Sequence, residues 1–124
     1  MKHLSVIAAV LGFVGVALGA FGAHGLQGLV SPAMLDVWKT AVSYQMYHVP
    51  VILLLGLLPA LAPRRLILLA GYCFIAGVLV FSGSLYALVW FGVPRLGMIT
   101  PLGGVLLLLG WLTLAVALLK KPAA

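Results

Sequence analysis

The sequence predicts an all-α membrane protein, a bundle of four transmembrane helices, and three observations carry that prediction. Of 124 residues, 65% are hydrophobic and 6% charged, against roughly 45–50% apolar and about 25% charged in soluble domains. The apolar residues fall into four runs, each long enough to cross a hydrocarbon core about 30 Å thick as a helix of roughly 20 residues. Turn formers and basic residues separate the runs. A 13.0 kDa globule in water would need far more polar surface than seven basic residues and one acidic residue supply, so a soluble fold is excluded.

The spans are expected at about residues 4–23, 41–62, 66–91 and 98–119, which leaves one four-helix transmembrane domain over 1–124. Span one opens after Lys2 and closes into the glycine-containing stretch from His24 to Val30. Ser31-Pro32 offers an N-cap followed by proline at the first helical position, ahead of span two. Pro63-Arg64-Arg65 separates spans two and three, and Gly92-Val93-Pro94-Arg95 ends the third, because proline and glycine interrupt helices. Within span one, Gly12, Gly15, Gly19 and Gly22 recur at three- and four-residue spacing, which aligns them on one face for helix packing. That stripe places span one at the packed centre of the bundle.

With the N-terminus inside, Lys2, Arg64, Arg65, Lys120 and Lys121 lie on the cytoplasmic side and only Lys39 and Arg95 outside, so the positive-inside rule favours N-in, C-in. A cleaved signal peptide is the rival reading of span one, since Lys2 precedes an apolar stretch that ends in small residues. The run is longer than an ordinary signal core, and its glycines have a packing explanation. The net charge of +6 is dispersed singly or in pairs, whereas a nucleic-acid partner needs a clustered basic face. Cys73 is the single cysteine, which rules out an internal disulfide.

Polar residues inside the spans are the candidate functional groups, because a polar side chain in hydrocarbon is costly without a partner. Counting 1.5 Å per residue back from Arg64 puts His48 about 24 Å above the inner boundary, in the outer third of the core. Tyr44 and Gln45 lie just above it. The same count from Arg65 puts Ser82 about 25 Å up, followed by Ser84 and Tyr86, while Thr100 and His24 fall near the outer boundary. The candidate ligand-binding or polar cluster is therefore His24, Tyr44, Gln45, His48, Ser82, Ser84, Tyr86 and Thr100, expected as a cup open to the outside. Residues 49–62 carry no polar side chain, so a continuous aqueous pore is not expected.

On span two, Trp38, Ala41, Gln45, His48 and Ile52 share one face by their spacing, and Pro50 releases the carbonyl of Met46 beside His48. The plain alternative is that Gln45, His48 and the serines only tie helices together, through hydrogen bonds worth about 0.6 to 2 kcal/mol each. Asp36, three residues before Lys39, reads as half of an interfacial pair. Trp38, Trp90, Tyr44, Tyr47 and Tyr86 fit an aromatic belt, and Trp111 lies deeper, where it packs between helices.

Several of these residues also carry a resemblance. Gly19-Ala20-Phe21-Gly22-Ala23-His24, then Trp38, Ala41, Tyr44, Gln45 and His48, then Phe81-Ser82-Gly83-Ser84-Leu85-Tyr86, then Thr100-Pro101-Leu102-Gly103-Gly104 and Gly110-Trp111 resemble, in order along nearly the whole chain, the bacterial domain-of-unknown-function 423 family, related to the transmembrane protein 256 group. The resemblance implies a small multi-pass protein of the bacterial inner (cytoplasmic) membrane with four spans, disfavours signal cleavage, and supplies neither an activity nor catalytic residues.

The favoured function is therefore non-enzymatic: a cup that binds a lipid headgroup, a small solute or a partner helix, in the lipid bilayer, as one copy, a homo-oligomer or beside another membrane protein. A small-solute transporter or channel is the alternative, although its site should lie near the midplane with access from both faces, which the dry inner half denies unless the protein oligomerises. An enzyme would pair Ser82 or Ser84 with His48 as base, yet no carboxylate is evidently placed to orient the imidazole. No catalytic residue, metal site or cofactor is assigned, since His24 and His48 alone are a weak haem or metal signal.

Overall fold

In the computed structural model, which describes residues 1–122, the chain forms four long helices and, among the described residues, no strand. They are α1 (Lys2–His24), α2 (Pro32–Leu57), α3 (Arg64–Phe91) and α4 (Thr100–Leu119), with short 3-10 turns at Pro59–Leu61 and Pro94–Met98. All four spans are long and apolar enough to cross a membrane, the fourth being counted from Pro94.

Local chemistry explains the helix ends. The hydroxyl of Ser31 accepts a hydrogen bond from Met34 N at 3.2 Å with Pro32 following it, which satisfies one of the free N–H groups of the first turn. This cap starts α2 nine residues before the apolar run at residue 41, so about two and a half turns of polar-bearing helix, with exposed Asp36 and Lys39, precede the hydrophobic part. At its other end α2 passes through Pro50 and stops at Leu57, not at residue 62, because Pro59 opens a separate turn. Helix α3 ends on Gly92, whose φ of +65° is the left-handed conformation that glycine tolerates.

The helices run antiparallel in sequence order: α1 packs on α2, α2 on α3 and α3 on α4. At one end Leu4, Ala8, Leu55, Ala62, Ile67 and Ala117 join a single core cluster, so the start of α1, the end of α4 and the α2–α3 turn share the end that carries Lys2, Arg64, Arg65, Lys120 and Lys121. This is called the basic end below. Phe74 and Ile52 deepen that core, both fully buried. A second cluster of Leu26, Trp38, Leu88 and Val89 closes the far end.

The glycine face of α1 meets α2 at close range. A Cβ at Gly15 would collide with the Met46 thioether, one at Gly22 would stand 2.5 Å from the Trp38 ring, and those at Gly12 and Gly19 would press Val49 and Val42 at 3.3 Å. The absence of side chains is thus what lets the two backbones approach. However, α1 is not the packed centre expected of it. Phe13 is 78% exposed and Val16 65%, because the glycines serve one neighbour while the remaining faces carry large apolar groups suited to lipid. The most extensively buried helix is α3, which packs between α2 and α4.

Candidate functional site

Helix α2 brings Trp38, Ala41, Gln45, His48 and Ile52 to one buried face, as their spacing requires. The other three helices meet that face with partners at successive depths. Trp38 Nε1 donates to the carbonyl of Leu18 at 2.9 Å, and Ser82 Oγ donates to the carbonyl of Ala41 at 2.6 Å. Gln45 acts in two directions: its amide nitrogen donates to Leu11 O at 2.7 Å, and its amide oxygen accepts from the Tyr86 hydroxyl at 2.6 Å. One side chain on α2 thereby ties α1 to α3.

His48 is engaged at both nitrogens. Nδ1 contacts the Tyr44 carbonyl at 2.6 Å, one turn back on the same helix, and Nε2 accepts from the Trp111 indole N–H at 3.0 Å. A carbonyl and an N–H donor are satisfied together by the neutral ring with its hydrogen on Nδ1. The rings of Phe74 and Trp111 pack at 5.5 and 5.7 Å from the imidazole, so the tie is enclosed by aromatic surface. Near the far end Ser84 shares a hydrogen bond of 2.6 Å with Thr100 across α3 and α4 and also donates to the Phe81 carbonyl at 2.9 Å. Since one hydroxyl carries one hydrogen, the threonine donates when the serine bonds to Phe81. No buried side-chain nitrogen or oxygen among the described residues lacks a partner.

The polar residues are therefore distributed as interhelical ties, not gathered around a common opening. Gln45, His48, Ser82, Ser84, Tyr86 and Thr100 are each bonded within the bundle. Tyr44 contributes its carbonyl to His48, while its ring, 39% exposed, stacks on Phe81 at 4.4 Å. His24 stands apart: it is exposed at the C-terminal turn of α1. Gly22 of α1 meets Trp38 of α2, and His48 lies ten residues farther along α2, about 15 Å deeper. The two histidines do not share an axial position for a haem or a metal.

The depth estimate for His48 also changes. Helix α2 ends at Leu57, and counting from there puts His48 about 14 Å from the basic end of its helix, not about 24 Å. Its partner agrees, because Trp111 sits near the middle of the 20-residue α4. The count from Arg64 failed because it treated the turn at Pro59–Leu61 as helix. His48 lies close to the midplane of the bundle.

Sequence reasoning missed the far partners of these ties. Trp111 was expected to pack, and it also donates to His48; the signal was available, since a deep indole N–H needs an acceptor. Two further ties lie toward the basic end, Ser5 Oγ to Leu53 O at 3.2 Å and His3 Nε2 with the Tyr72 hydroxyl at 2.7 Å.

Two larger grooves open on the sides of the bundle. One, of about 540 Å³, lies between the far halves of α1 and α3 and includes Phe21, Trp38, Gly83 and Trp90. The other, of about 400 Å³, lies between α2 and α4 and includes Tyr44, His48, Gly104 and Trp111.

Residues 18–104 match the family described as "Protein of unknown function (DUF423)". The chain is 43% identical over 120 residues to a UPF0382 membrane protein of Staphylococcus aureus, covering 97% of this chain and 98% of that one. It is 40% identical over 121 residues to UPF0382 membrane protein YwdK of Bacillus subtilis, at 97% and 98% coverage. A UPF0382 membrane protein of Staphylococcus saprophyticus is 38% identical over 120 residues, at 97% and 99%. No solved structure matches the chain. The family match and these likenesses, with four helices apolar enough to span a membrane, show that the chain belongs to the DUF423 family of bacterial membrane proteins.

Proposed function

We propose that this protein is a non-enzymatic binding protein of the bacterial cytoplasmic membrane, a single four-helix domain in N-in, C-in orientation, and that it takes its ligand or partner from within the bilayer. The carrying observation is the contrast between interior and sides. The buried polar side chains are consumed by bonds between helices, whereas the open volume lies in lateral grooves with apolar and aromatic walls. Hydrogen-bonded serines and a histidine occupied at both nitrogens are poor material for a nucleophile and base. A groove open to lipid, by contrast, admits an acyl chain or another apolar molecule without desolvation of a charge. The positive-inside count supports the orientation: five of the seven basic residues stand at the basic end.

Native mass spectrometry of the full chain, released gently from bacterial membranes, tests the reading. A retained lipid, apolar cofactor or membrane-protein partner is the expected result. A chain that emerges bare and monomeric under conditions that preserve known lipid adducts would refute it.

A further inference from the structure

We infer that the groove between α2 and α4 holds one acyl chain of an anionic glycerophospholipid from the leaflet on the far side of the membrane, with Arg95 taking the phosphate. This deepens the proposed binding function by naming the ligand class of one groove. The groove has the length of one acyl chain. On α4 the groove runs from Pro101 to Trp111, ten residues or about 15 Å of helix, and one leaflet contributes about half of a hydrocarbon core roughly 30 Å thick. The groove thus begins where a fatty-acid ester lies and stops at the midplane, where an acyl chain ends.

The lining suits a hydrocarbon chain. Phe81, Leu108 and Trp111 form apolar walls, and His48, the polar group at the deep end, is already bonded at both nitrogens. Neither His48 nitrogen is left free for a polar ligand atom. Gly104 keeps the channel open, for the only atom near a Cβ added there is Phe81 Cδ2, at 4.0 Å. Charge at the groove's outer end favours an anionic headgroup. The turn Pro94–Met98, which leads directly into Thr100 and Pro101, carries exposed Arg95. The other cation at this end, Lys39, lines a separate groove against α1 with Gly19 and Gly22. A lipid seated in the α2–α4 groove would have its headgroup at the end of the bundle that carries Arg95, six residues before Pro101 in sequence, and a guanidinium binds phosphate oxygens in bidentate fashion.

The test uses the full chain in vesicles of equal phosphatidylglycerol and phosphatidylcholine, released gently and weighed by native mass spectrometry. One phospholipid per chain is expected, with phosphatidylglycerol enriched. Arg95→Gln should lower that enrichment about fivefold, the worth of one basic residue at an anionic surface. Gly104→Leu should abolish retention by filling the channel, whereas Gly83→Leu, which meets nothing within 4 Å in the other groove, should leave it intact. Melting followed by circular dichroism identifies a variant that fails to fold, and Arg95→Gln, at an exposed site, carries the test if Gly104→Leu does. Equal retention of both lipids by the wild type, or full retention by Gly104→Leu, overturns the inference. The same species weighed from bacterial membranes separates the two levels: a quinone or a protein partner lost on Gly104→Leu overturns the phospholipid and leaves the groove reading standing. A bare wild-type chain from both preparations removes both.

Discussion

The His48–Trp111 tie makes the sharpest prediction about what holds the bundle together at mid-depth. Replacing Trp111 by Phe removes the indole N–H and keeps a ring against Phe74, which lies 5.0 Å away. Replacing His48 by Leu removes the acceptor, leaves the Trp111 N–H without its partner, and disturbs a site that is 5% exposed. An interhelical hydrogen bond in a membrane protein contributes about 0.6 to 2 kcal/mol, and an orphaned donor costs about 1–3 kcal/mol. Trp111→Phe should therefore cost about 1 kcal/mol and His48→Leu about 2–3 kcal/mol. The double variant should be less destabilised than the sum, by about 0.6 to 2 kcal/mol. The measurement is equilibrium unfolding of the four species in mixed micelles, followed by helical circular dichroism. Additivity within about 0.5 kcal/mol, the scatter of independent sites, would show that the two side chains do not stabilise each other and that the contact is incidental.

Other ties predict other losses. Gln45→Leu breaks the bonds to Leu11 and Tyr86 together and should cost about 1–4 kcal/mol, twice the single-bond range. Adding Tyr86→Phe should recover part of that cost, because it removes the stranded hydroxyl; no recovery in the same unfolding assay would count against the paired bond. Gly15→Leu drives a side chain into Met46 and should cost at least about 1–3 kcal/mol through overpacking, while Gly83→Leu should be near neutral by thermal melting. Reporter fusions placed after residue 124 and near Arg64 should both report a cytoplasmic location, and a periplasmic signal from either contradicts the N-in, C-in orientation. Liposomes containing the monomer alone should show no ion leak, since no polar lining continues through the interior; sustained flux would mean the interior opens.

Much of the architecture was legible because lipid imposes one requirement on every span, a long apolar helix with its backbone bonds satisfied internally. The period of α2 was equally plain: Trp38, Gln45 and His48 share the buried face that their spacing predicts. What could not be read was how far each helix runs past its apolar segment. Ser31 extends α2 toward the far end and Pro59 truncates it, so a depth counted from Arg64 carried the error of the turn into His48. Nor does a glycine stripe state how many neighbours a helix has. Gly12 to Gly22 mark a close approach on one face, and the exposed Phe13 and Val16 on other faces were the evidence that α1 lies at the margin.

The polar residues pose the harder question, because the same side chains serve equally as site and as fastening until their partners are known. A cup requires groups at similar height that face one space. Here each group is answered from a neighbouring helix at its own height: Thr100 meets Ser84, the Ala41 carbonyl meets Ser82, Tyr86 and Leu11 meet Gln45, and Trp111 meets His48. In hydrocarbon no water competes for these bonds, so a shifted helix leaves several of them unmet at once. Apolar packing alone specifies rotation and register weakly when lipid is as apolar as the core. A ladder of unlike partners specifies both, and it holds α2 and α4 at the separation that leaves the groove beside Gly104 open. On the proposed reading, the polar interior shapes a lateral groove that is itself apolar, and substitutions at His48 or Ser84 should alter lipid retention through groove geometry without either residue touching the lipid's charge.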